Sequence, residues 1–318
     1  MAKKKKAPKS IPERKETSKL KILDLLDPFW GCYTKESPSD EDKKLFNEKL
    51  SLFLKQGVSS LEKGNHYNIL VLYDNILMIK ADSDRIYNAI NSFQDKTKPI
   101  LLIIVSGGGE PASAYLIGKL CQEFCNGSLT VVVPRYAKSA ATLLACAANE
   151  IHMGSLSELG PIDPQIEGMP TLGLKNSIEH IAELVSNNPG SSEMFARYLQ
   201  RTVEPIQIGY YERVAESAMQ YAEKLLDKNK SKLASTPKEI ARRLVYGYKD
   251  HGFVIDKEEA VEIFGKDIIK SNSPEYKIGN FVYDTFSKIE GWAKSLKQNF
   301  YFTGSFDSAA SVWPKPKK

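Results

Sequence analysis

Two stretches decide how this chain is read. The first is Ile100-Leu-Leu-Ile-Ile-Val105, running into Ser106-Gly-Gly-Gly-Glu110. The second is Leu129-Thr-Val-Val-Val133, followed after a short turn by Tyr136-Ala-Lys-Ser-Ala-Ala-Thr-Leu143. Both apolar runs are continuous rather than alternating, the pattern of strands buried on both faces. Each gives way to a helix: Pro111 to Phe124 after the first, and the small-residue stretch Ser139 to Ala148 after the second. Repeated strand-turn-helix units predict an α/β fold with a largely parallel core sheet.

Working outward, Asn68-Ile-Leu-Val-Leu-Tyr73 reads as a strand, and Ile76 to Ile79 as a further β-run after an Asp-Asn turn. A helix from Asp82 to Gln94 carries Ile86, Ala89, Ile90 and Phe93 on one face. Residues 21–60 read as interrupted helix, and Glu150 to Met153 as a short strand. Beyond residue 172 the pattern is helical: about Leu174 to Val185, Ser191 to Lys228 with a break near Pro205, a helix opened by Thr236 and Pro237, and Asp256 to Phe264. The expected organisation is a basic tail (1–20), a helical extension (21–60), an α/β core (61–172), a helical part of the same domain (173–295) and a tail with no assigned element (296–318).

The formal net charge of +5 is not spread over the chain. Residues 1–20 hold eight basic side chains against Glu13 and Glu16, and Lys315, Lys317 and Lys318 close the sequence, so the body is mildly acidic. A Lys-, Pro- and Ser-rich segment without large apolar residues cannot bury enough surface to order itself. It reads either as a solubilising disordered tail or as an electrostatic contact with anionic lipid or nucleic acid. No apolar h-region follows its lysines, as a signal peptide would require, and Ile100 to Val105 is too short to span a bilayer. A cytoplasmic protein without a transmembrane segment is expected. Cys32, Cys121, Cys125 and Cys146 have no zinc spacing and read as core thiols.

The chemistry sits at the strand ends. A Gly-rich turn opening a helix exposes backbone N–H groups at the positive end of the helix dipole, where they can hold an oxyanion. Ser139, at the first turn of a helix, stands where a hydroxyl can be presented to substrate, although an N-cap would look the same.

The run Leu101 to Gln165 resembles the Clp-protease/crotonase superfamily. Ala137-Lys-Ser-Ala-Ala-Thr-Leu143, Ala148-Asn-Glu-Ile-His-Met-Gly154 and above all Leu156-Ser-Glu-Leu-Gly-Pro-Ile-Asp-Pro-Gln165 are similar to the serine dehydrogenase proteinase family, a relative of the signal-peptide peptidases. Arg243-Leu-Val-Tyr-Gly247 with His251-Gly-Phe-Val-Ile255 resembles that family's C-terminal motif. The resemblance implies a spiral of ββα units, a homo-oligomer, and a serine peptidase acting on a peptide or protein without metal or organic cofactor. It puts Ser139 in the nucleophile slot, and Gly108 or Gly109 with the N–H of Ala140 in the oxyanion slot.

The general base is open. The histidine that Clp proteases carry beyond the serine is absent, its place being taken by Asp163 and Pro164, whereas signal-peptide-peptidase relatives use a lysine farther on. His180 leads by spacing and by its titration range. Lys175 would need burial to lose its proton, Lys138 is adjacent to the serine and should point away from it, and His251 precedes a glycine in a loop. His152 and His66 read as strand-edge residues. Asp163, between two prolines, could orient the base, bind a substrate amine or fix its own turn. A catalytically inactive peptide- or protein-binding scaffold of the same fold is the alternative to a peptidase. An acyl-CoA enzyme lacks a nucleotide site, and a nucleic-acid protein lacks a basic folded face.

Overall fold

The computed structural model describes residues 19–35, 38–74, 76–166, 169–202 and 205–314, so the basic residues 1–18 lie outside it. Helices α1 (Leu26–Tyr33) and α2 (Asp40–Ser59) lead into β1 (Asn68–Asp74). There follow α3 (Lys80–Ser92), β2 (Ile100–Ser106), α4 (Pro111–Phe124), β3 (Leu129–Val133), β4 (Tyr136–Ala137), α5 (Ala140–Ala145), β5 (Glu150–Met153) and β6 (Glu158–Leu159). A small hairpin of β7 (Gln165–Ile166) and β8 (Met169–Pro170) precedes α6 (Thr171–Asn187), α7 (Ser192–Thr202) and α8 (Pro205–Leu226). The chain closes through α9 (Pro237–Tyr246), α10 (Lys257–Phe264), β9 (Ile269–Lys270), α11 (Pro274–Ser295), β10 (Gln298–Gly304) and β11 (Ser311–Pro314).

The main sheet has the order β11-β10-β1-β2-β3-β5-β9. From β1 to β9 every pairing is parallel, while β10 and β11 join antiparallel at one side. The side chains of β2 explain why its sequence does not alternate. Ile100, Leu102 and Ile104 enter one core with α3, α4, α5, α8 and α9, whereas Leu101, Ile103 and Val105 enter a second core with α1, α2 and α11. Both faces are dry, and a run apolar at every position follows.

β2 also divides the sheet. Its first half pairs with β3, but its last residue, Ser106, pairs with Ala137 of β4, and β4 continues to β6. The sheet therefore splays at the carboxyl end of β2, and both Gly107–Gly109 and Ser139 emerge there.

Three expectations are corrected. Ile76 to Ile79 is a loop rather than a strand, touching the sheet through one bridge between Met78 and Gly109. The stretch 296–318, left without an element, contains β10 and β11; Phe300 and Phe302 of β10 pack on Phe286 of α11 at 5.4 and 4.8 Å between ring centroids. His152 is on the interior strand β5 with its Nδ1 2.6 Å from Ser273 Oγ, not at an edge. The four cysteines are buried and free, and burial pushes the Cys121 and Cys146 thiols up to about 12, leaving them protonated and inert. No helix among the described residues is long and apolar enough to cross a membrane.

Candidate active site

Ser139 lies between β4 and α5 with φ 51° and ψ −121°. A non-glycine residue persists in that sparsely populated region only where its surroundings hold it. Here the Lys138 N–H donates to Ser106 O at 2.9 Å, Ala141 N–H to Lys138 O at 2.8 Å, and Leu143 N–H to Ser139 O at 3.0 Å. Ser139 occupies the N-cap position of α5, but its hydroxyl makes no capping hydrogen bond. Thr142, fully buried, ties the turn to its neighbours: its hydroxyl donates to Ala137 O at 2.6 Å and accepts from Gly160 N–H at 3.0 Å. Thr142→Val keeps the shape and strands the Gly160 N–H, so urea unfolding should show a loss of about 1–3 kcal/mol, the cost of an unsatisfied buried polar group. A loss of a few tenths would mean the bond is not made.

The glycine turn is built for close approach. A Cβ on Gly109 would lie 2.2 Å from Met78 O, and one on Gly108 would lie 2.8 Å from Ser139 Cβ, both glycines having positive φ. Met78 N–H donates to Gly108 O at 2.8 Å and Glu110 N–H to Met78 O at 2.9 Å, so the ladder uses the peptides on either side of Gly109. Gly108 N–H is engaged by Ser106 Oγ at 3.0 Å. Gly109 lines the cavity beside Ser139 and Ala140. The Ala140 N–H opens α5 and has no helical carbonyl behind it to bond. Two buried carboxylates pin the facing loop: Asp74 Oδ1 accepts from Ile76 N–H at 2.7 Å and Asp82 Oδ2 from Ile79 N–H at 2.9 Å.

Gly160-Pro-Ile-Asp-Pro-Gln165 follows β6 and is fixed by Gly160 on Thr142 and by Ile162 N–H on Leu244 O of α9 at 2.9 Å. Asp163, 5 % exposed, accepts from the Gln165 amide at 3.2 Å and has an oxygen 2.8 Å from His251 Nδ1. The carboxylate raises the His251 pKa above its ordinary value by stabilising the imidazolium. With Nδ1 turned to Asp163, Nε2 lies on the opposite side of the ring. The loop carrying His251 is held to β6 by paired bonds between Leu159 and Ile255, at 2.9 and 3.1 Å.

Ser139, Ala140, Gly109 and His251 line one cavity of about 420 Å³. Its other walls are largely apolar, with Leu77, Ile79, Leu143, Ile162 and, from α8, Val214 and Ala218. His180, the leading base by spacing, is exposed on α6 and does not line this cavity. The side chain of Lys175 lies outside the described residues. Lys138 faces away from the cavity, toward Glu158. Of the sequence candidates, Ser139, Gly109, Ala140, Asp163 and His251 come together; the Asp163–His251 pairing and the α8 wall were not foreseen. A serine, an imidazole bonded to a carboxylate and two backbone N–H groups, of Gly109 and Ala140, that have no backbone partner among the described residues are the parts of an acyl-transfer site on one cavity.

Residues 67–189 match the family model of the ClpP-like SDH-type serine proteinases. Two uncharacterized proteins of Methanocaldococcus jannaschii are similar in sequence. The first is 30% identical over 194 residues, 61% of this chain and 61% of that protein. The second is 35% identical over 106 residues, 33% of this chain and 36% of that protein. The chain thus spans less than two thirds of the curated relatives it matches. Among solved structures, a membrane-bound stomatin-specific protease is 12% identical with a TM-score of 0.42, covering 76% of this chain and 93% of that one. A ClpP1 from Listeria monocytogenes is 14% identical with a TM-score of 0.38, covering 70% and 98%.

Proposed function

We propose that this chain is a serine peptidase in which Ser139 is the nucleophile, His251 the general base and Asp163 the carboxylate that orients it. The observation that carries this reading is that a serine held at φ 51° and an Asp163-bonded imidazole line the same cavity. Ser139 Oγ attacks the carbonyl carbon of a peptide bond while its proton passes to His251 Nε2. The oxyanion is received by the N–H groups of Gly109 and Ala140, and His251 returns the proton to the departing amine. Water then enters, gives a proton to His251, and releases the acid by the reverse sequence. No step requires a metal or an organic cofactor. The apolar walls favour a substrate with an apolar side chain beside the scissile bond. The homo-oligomer implied by the family resemblance belongs to this proposal, and sedimentation would read it.

The test is covalent labelling with a fluorophosphonate probe, followed by mass-spectrometric mapping. A single adduct on Ser139, with cleavage of an unstructured protein such as casein, is the expected result. An unlabelled Ser139 in a folded preparation that leaves casein intact would sink the peptidase reading in favour of a binding scaffold.

A further inference from the structure

We propose that Lys138 is a positioning residue, a clamp that fixes the His251 loop to the nucleophile turn. Its stem crosses Gly160 so closely that a Cβ there would lie 2.6 Å from Lys138 Cδ. Beyond this crossing the ammonium donates to Leu159 O and to Phe253 O, each at 3.2 Å, and pairs with Glu158 Oε2 at 3.2 Å. Two of its N–H groups are used on these carbonyls and Glu158 pairs with its charge, so the ammonium is directed to the loop junction and away from its neighbour Ser139.

Phe253 is separated from His251 by Gly252 alone, and burial does little to hold this loop. Phe253 is 42% exposed and Val254 51%, with the Tyr248 ring, 4.8 Å away between centroids, as the aromatic neighbour of Phe253. The loop is instead held by polar ties: Asp250 accepts from Gly252 and Phe253 N–H groups, Lys138 binds Phe253 O, and Leu159 pairs with Ile255. The Lys138 tie is the one that runs straight to the residue before the nucleophile. It also accounts for three otherwise separate features of the sequence: the lysine before the serine, the acid at Glu158 and the glycine at Gly160.

This inference rests on His251 being the base, and its test separates the two. Lys138→Met keeps the stem and removes the charge. It should leave the melting temperature within a few degrees of wild type and lower kcat/KM by about 10²-fold, the scale of a misplaced catalytic group. Gly160→Ala, which displaces the same stem from the other side, should give a comparable loss. In a His251→Ala background, Lys138→Met should cost nothing more, because a clamp acts only through the group it holds. Full additivity of the two substitutions would overturn the clamp, as would wild-type kcat/KM in Lys138→Met alongside an inactive His251→Ala. A fully active His251→Ala with an inactive Lys138→Met would make Lys138 the base and remove both assignments.

Discussion

Ser139→Ala is expected to lower kcat/KM for a peptide substrate by on the order of 10⁶-fold, the loss seen when a hydrolase nucleophile is deleted. The size follows from the chemistry: without Oγ no acyl-enzyme forms, and the N–H groups of Gly109 and Ala140 can stabilise only direct attack by water. The substitution is a clean probe because the Ser139 hydroxyl makes no capping bond to the helix it opens. Alanine carries the same Cβ into the same strained φ of 51°, so unfolding should be unchanged. A variant of wild-type stability retaining more than about a hundredth of the activity would contradict a nucleophilic role, since such deletions ordinarily leave far less.

Asp163→Asn should come second, with a fall in kcat of about 10⁴-fold, because an amide stabilises the wrong tautomer and no longer supports the imidazolium. It should also move the pH profile in a defined sense. A general base works when neutral, and Asp163 raises the His251 pKa by favouring its protonated form. The acid limb of kcat/KM in the wild type therefore lies above the ordinary histidine value of about 6.5. Removing the carboxylate removes the cause, and the limb of the residual activity should shift toward lower pH. An unmoved limb, with activity lost, would show that Asp163 supports the turn rather than the histidine. His251 itself can be titrated by nitrogen-resolved NMR in both proteins, and the same downward displacement should appear there without substrate.

Much of this was legible in the sequence because it depends on local pattern. The continuous apolar runs of β2 and β3 marked a doubly covered sheet, and the helix starts at Pro111, Thr236 and Asp256 stand where their residues predict. Ser139 was visible as a serine at a strand-to-helix turn, though its φ of 51° was not, since only the surrounding backbone bonds impose it. Spacing along the chain favours His180, whereas the histidine that shares the cavity with Ser139 is His251, a position decided by long-range pairing. The run His251 to Ile255 and the run Leu156 to Gln165 each stand out in the sequence, but their junction does not. The Leu159–Ile255 bridge brings His251 to Asp163 across a separation of 88 residues. β10 and β11 carry no signal in the sequence because their stability comes from adding to β1 and packing on α11, neither of which leaves a local periodicity.

The central claim is that His251, and not the better-spaced His180, activates Ser139. The most direct test is kcat/KM for one fluorogenic peptide across wild type, His251→Ala and His180→Ala, each shown to be folded. The expected result is a loss of about 10⁴-fold or more for His251→Ala, the scale of deleting a catalytic base, with His180→Ala within a factor of two of wild type. The reverse pattern, an inactive His180→Ala beside an active His251→Ala, would contradict the account.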